Sequence, residues 1–156
     1  MKTPQLVLHE LDGWLAKQLR DLAADRKWLV REARQLGAAK GHLDGRPTVL
    51  FVLFDPHKSP PVALKLIADV HLAHPDVAVV AVSDAKLPEE DRATWSAAAL
   101  DLGARFVLFP PLTRPVLVDL AGGLLGAVIR RAGGPPPPGM PQAEPDVIDL
   151  AEDDDA

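Results

Sequence analysis

The chain has no cysteine and no tyrosine, and its only aromatics are four phenylalanines and three tryptophans. Without thiols there is no disulfide frame, no thiol nucleophile and no thiolate metal site, a composition that suits a reducing compartment. No apolar run approaches the roughly 20 residues of a membrane span, and the opening MKTPQLVLHELDGW lacks the apolar core of a secretory signal. A cytoplasmic protein with no membrane partner is therefore expected. Bases are scattered rather than gathered beside aromatics, which argues against a nucleic-acid surface. No glycine-rich phosphate loop follows an apolar run, and neither a catalytic triad nor paired catalytic carboxylates appear, so no enzyme is expected.

What the chain does have is an uneven charge distribution. Its net charge is -5 over 156 residues, but residues 133–156 carry seven acids (Glu144, Asp146, Asp149, Glu152, Asp153, Asp154 and Asp155) and no base. Residues 1–132 are left with 15 acids against 17 bases and are nearly neutral. The segment from 133 also holds six prolines and little apolar surface. Such a composition does not offset the entropy of ordering, so a disordered Pro-rich acidic tail is expected over 133–156, after one domain over 1–132. Its single apolar island, Asp146-Val147-Ile148-Asp149-Leu150, has the character of a strand-adding peptide, or of a chance triplet in a solubilising tail.

The domain is organised around Pro47 to Pro56, PTVLFVLFDP. Six apolar residues, Val49 to Phe54, run unbroken to Asp55, the pattern of a strand buried on both faces at the centre of a parallel sheet. Before it, Leu6–Leu8 predict a first strand ending at His9 and Glu10. The spacing of Leu11, Trp14, Leu15, Leu22 and Ala23 then predicts a first helix, WLVREA a second strand and QLGAAKGHL a short helix. After it come VALKLIADVHLAH as a helix, VAVVAVSD as a strand ending in Ser83 and Asp84, and a helix opened by Pro88 and closed by Gly103. RFVLF then forms a fifth strand running into Pro110-Pro111, and the last helix has Thr113 as N-cap and Pro115 in its first turn. Five strands alternating with five helices predict an α/β fold, a parallel sheet covered on both faces. In such sheets ligands gather outside the carboxyl ends of the strands, where Asp55 stands.

The order of elements and the polar residues closing strands one, three, four and five together resemble the receiver domain of two-component response regulators, over about residues 5–131. The resemblance implies a flavodoxin-like (CheY-like) three-layer sandwich with strand order 2-1-3-4-5. It also places His9 and Glu10 where receivers carry two acids, Asp55 at the phosphoacceptor, Ser83 at the hydroxyl after strand four, and Pro110-Pro111 at the family's Lys-Pro. Glu32-Ala33 and Gly103-Ala104 are secondary likenesses. The departures are chemical. His9 removes one acid from a site where a divalent cation such as magnesium needs carboxylates, leaving Glu10 and Asp55 as candidate metal ligands. Pro110 offers neither the charge nor the donor of the family lysine, with Lys58 and Lys86 the nearest other cations. Val107 replaces the usual switch aromatic. Pro60-Pro61 shorten and reshape the loop after Asp55. The Lys-Pro peptide is commonly cis in the family, so Pro110-Pro111 is expected to be cis.

Each of these residues also has a purely structural role open to it. Asp55 suits a helix cap or loop amides, Ser83 a strand-end turn, and Glu10 the first turn of the following helix. His9 and His57 with Asp55 and Glu10 form a transition-metal set on paper, while His42, His71 and His74 are expected on helix surfaces. Asp55 to Pro60 partly matches the Asp-x-His-x-x-Gly string of cobalamin-binding domains, with Pro60 in place of glycine. Gly122-Gly123 lie in the last helix rather than in a cofactor loop.

The expectation is a stand-alone receiver-like adaptor, altered or inactive at Asp55, acting through protein partners such as a histidine kinase. Helix four, strand five and helix five, with Trp95, Gly122, Gly123 and Gly126, form its expected interaction and homodimer face. A working phosphoacceptor at Asp55 and a small flavodoxin-like ligand binder are the alternatives.

Overall fold

The structure, a computed structural model, describes residues 2–57 and 60–133. Lys58, Ser59 and the tail from 134 lie outside the described residues, and with them the expectations placed on that tail.

Five strands and five helices alternate along the chain: β1 (Gln5–His9), α1 (Trp14–Arg26), β2 (Leu29–Ala33), α2 (Leu36–Gly41), β3 (Thr48–Phe54), α3 (Pro60–Ala73), β4 (Ala78–Ser83), α4 (Glu89–Asp101), β5 (Phe106–Leu108) and α5 (Arg114–Arg131). All strand pairs are parallel and the sheet order is β2-β1-β3-β4-β5. This is the flavodoxin-like order that the sequence reading expects. Each crossover reverses the chain through a helix, as parallel pairing requires.

Alternation along the central strands divides the core in two. Leu6, Leu8, Val49, Phe51, Val80 and Val82 face α1 and α5, meeting Leu15, Leu19, Leu117 and Leu125. Val7, Leu50, Val52, Phe54, Val79 and Ala81 face the other helices, meeting Leu66, Ile67 and Val70. Both faces of β3 are covered, which is why its run is apolar without alternation. A buried side chain of this size contributes about 1.5–3 kcal/mol. The two layers therefore hold the strand ends, and the residues just beyond them, in fixed register.

Local chemistry sets the helix ends. α1 starts at Trp14, after Gly13 at φ 79°, and Leu11 lies outside the helix with 74% of its surface exposed. This corrects the periodicity, which counts Leu11 on the buried face. α1 and α4 end alike: Trp28 N–H donates to the Ala23 carbonyl and Lys27 N–H to Ala24, while Ala104 N–H donates to Ala99 and Gly103 N–H to Leu100. These are Schellman closures, with the left-handed position held by Lys27 (φ 58°) in one and by Gly103 (φ 118°) in the other. α5 has Thr113 in extended conformation at its N-cap without a side-chain bond, and proline in its first turn. The Pro110–Pro111 peptide is cis, as the resemblance implies. Among the described residues no helix is long and apolar enough to cross a membrane.

Candidate functional site

The register brings the carboxyl ends of β1, β3 and β4 to one edge. His9 pairs across to Val52 and Ala33, and Phe54 to Ser83, so the residues that follow, Glu10, Asp55 and Asp84, emerge side by side. Asp84 N–H donates to the Phe54 carbonyl (2.8 Å), tying the two exits together. Two neighbouring clefts open there. The larger, about 490 Å³, is lined by His9, Glu10, Asp12, Arg34, Asp55 and Asp84 among others. The smaller, about 260 Å³, lies between Asp12, Trp14, Ser83, Asp84 and Pro110. The edge thus collects the residues that the sequence reading selects.

Their hydrogen bonds decide what they can do. Glu10 is buried, and its two carboxylate oxygens accept the amides of Leu15 (2.7 Å) and Ala16 (2.9 Å) in the first turn of α1. It therefore caps the helix from five residues upstream, satisfying two of the donors that every helix start leaves open. Burial raises the carboxyl above its usual value, the two amides pull it back, and Asp12 and Glu32 raise it further. Ser83 is buried too. Its hydroxyl donates to the Ala85 carbonyl (2.7 Å) and accepts the Ala85 amide (3.2 Å), closing a strand-end turn. Asp55 is half-buried and accepts the His57 amide through Oδ1 (2.8 Å), the two-residue turn that short acids favour. His9 is held below its usual value, chiefly by burial, and its Nδ1 is buried without a protein partner. It stands neutral at pH 7 in the place of a carboxylate.

Asp12, Arg34 and Asp84 escaped the sequence reading as site residues. Asp12 accepts the Trp14 amide (3.2 Å) and lines both clefts, as does Asp84. Arg34 follows the last residue of β2 and is the one arginine or lysine lining the larger cleft among the described residues. The available signal was position, since each lies within three residues of a strand end. Lys86 lines neither cleft.

A divalent cation would need several of these oxygens converging on one point. Among the described residues no group of three histidines or acids is arranged to hold a metal ion, which sets aside the set of His9, His57, Asp55 and Glu10. Of the two candidate magnesium ligands, Glu10 is turned into α1 and Asp55 stands in the larger cleft.

No family model matches the sequence, and no curated protein matches it. Solved structures do. NtrX from Brucella abortus superposes with a TM-score of 0.64 at 20% identity, over 85% of this chain and 29% of that one. A receiver domain protein (CheY-like) from Methanospirillum hungatei superposes at 0.60 with 16% identity, over 84% and 99%. A response regulator from Burkholderia pseudomallei, solved with a phosphorylated aspartic acid, calcium ion and citrate, superposes at 0.56 with 18% identity, over 85% and 72%. The described chain thus spans less than a third of NtrX and nearly the whole of the isolated receiver. Its fold is that of the receiver domains of two-component response regulators.

Proposed function

We propose that this chain is a receiver-like signalling module that works as a protein-interaction adaptor, with the phosphorylation chemistry of Asp55 altered or absent. The observation that carries this reading is the commitment of Glu10, whose carboxylate is spent on the α1 amides. Ser83 is likewise closed on Ala85, and Pro110 supplies no ammonium group. The receiver's address is kept while each assisting group is missing or engaged, and activity is argued from such groups rather than from the fold. Its partners are then proteins, a histidine kinase or another signalling protein. The surface that meets them is α4, β5 and α5, where Leu100, Phe106 and Val116 are exposed. Two copies would pair through the same face.

A second reading, a working phosphoacceptor, is favoured by Asp12, an acid in the same cleft as Asp55 that can replace the one lost at His9. The Burkholderia neighbour, with its phosphorylated aspartic acid and calcium ion, illustrates that chemistry on this fold. Incubation with acetyl phosphate and magnesium, followed by intact-mass measurement, separates the two. The adaptor reading expects no added phosphoryl mass. A gain that disappears in Asp55→Asn would overturn it in favour of the phosphoacceptor.

A further inference from the structure

The amino-terminal edge of the sheet, opposite Asp55, carries a third cleft of about 270 Å³ between the loop before β3, the loop before β4 and the end of α5. Leu43, Pro47, Pro75, Val77 and Val128 supply its apolar lining, beside Thr48 and His74, and Arg46 and Arg131 stand on it with Asp76. Asp44 holds the Arg46 guanidinium at 2.9 and 3.1 Å, so this cation is fixed in place rather than swinging in solvent. The cleft is just below the roughly 300 Å³ at which small-molecule pockets begin, a size suited to a few aliphatic side chains. Arg131 and Ala132 belong to its wall, so the chain leaves the domain at the rim of the cleft and continues into residues 133–156.

We propose that Asp146–Leu150 of the same chain docks in this cleft. Val147, Ile148 and Leu150 are the apolar island of the segment beyond α5, and they match the aliphatic lining. Asp146 and Asp149, followed by Glu152 to Asp155, oppose Arg46 and Arg131. Thirteen residues, 133–145, separate the island from the cleft wall. At about 3.1 Å per residue for proline-rich chain they reach roughly 40 Å, ample for a return, and Gly133, Gly134 and Gly139 provide places to turn. Short tethers hold a segment at about millimolar effective concentration, which raises the occupancy of a weak contact. The docking stands apart from the function proposed for Asp55, because the two sites lie at opposite edges of the sheet.

The cysteine-free chain permits a direct test. In the full chain, Ala151→Cys carries a nitroxide label, and the amide signals of the 15N-labelled protein are compared with the label active and reduced. Docking predicts that Thr48, Val77 and Ala132 lose most of their intensity while Asp55 and Asp84 keep theirs, and that adding Ile148→Asp restores the signals. Intensity retained at the cleft, or lost equally at both edges, would overturn the proposal. A mixture of unlabelled-spin 15N protein with spin-labelled 14N protein must show no loss; loss there would assign the contact to a second copy and overturn docking within one chain.

Discussion

Glu10 and His9 are adjacent in sequence, and their titrations act on stability with opposite signs. The His9 imidazole is held below 6.5 by burial, so as pH falls the unfolded chain takes up its proton before the folded one does. The folded state loses stability on acidification through 6.5, down to the lowered value. The Glu10 carboxyl is raised above 4.5, so its contribution is fully present below 4.5 and is lost as pH rises through the folded value. Urea midpoints measured between about pH 7 and 5 are expected to fall in the wild type and to fall less in His9→Gln. Glu10→Ala strips the Leu15 and Ala16 amides of their acceptor and is expected to cost about 1–3 kcal/mol in the same measurement, with Glu10→Gln, which keeps one acceptor, costing less. These two amides also explain why the role of Glu10 was only half legible. An acid near a helix start is visible in the sequence, but that it spans five and six residues to bond both amides depends on where Gly13 turns the chain.

At the scale of elements, glycines that look alike in sequence separate into two kinds. A Cβ at Gly103 would collide with the His71 ring, and its φ of 118° disfavours any side chain. Gly103→Ala is therefore expected to destabilise by roughly 1–3 kcal/mol. At Gly122 and Gly123 a Cβ would meet no atom within 4 Å, so neither is required for close packing of α5 on the domain. Each Gly→Ala there is expected to stabilise by about 1 kcal/mol, read from chemical denaturation. The elements themselves were legible because two buried strand faces leave continuous apolar runs, and because Pro88, Gly103, Thr113 and Pro115 mark helix ends by backbone chemistry. Leu11 was misassigned because periodicity counts residues across a turn as though the helix had already begun. Arg34 and Asp84 were missed because register, which only pairing defines, decides which residues just past a strand face one another. His71 sits exposed on α3, as expected, with its ring against Gly103.

For the whole molecule, the two edges of the sheet differ in character, with acids around Asp55 and arginines around the cleft beside α5. The exposed edge strand β5 adds a lateral surface on which Phe106 is 45% exposed. If copies or partners meet there, Phe106→Glu is expected to weaken association without moving the urea midpoint beyond about 0.5 kcal/mol, as sedimentation and denaturation together would record. Trp95, on α4, is half-buried and packs on Phe54 with ring centroids 5.7 Å apart and planes tilted by 46°. Phe54 is the residue immediately before Asp55, so the indole rests one step from the site. Trp14 and Trp28 stand elsewhere, the first on the smaller cleft and the second beneath the Arg26 guanidinium. With those two replaced by phenylalanine, the remaining indole becomes an optical gauge of the cleft around Asp55: any ligand, ion or phosphoryl group that shifts the end of β3 will alter its emission. In a chain without tyrosine, nothing else contributes to that light.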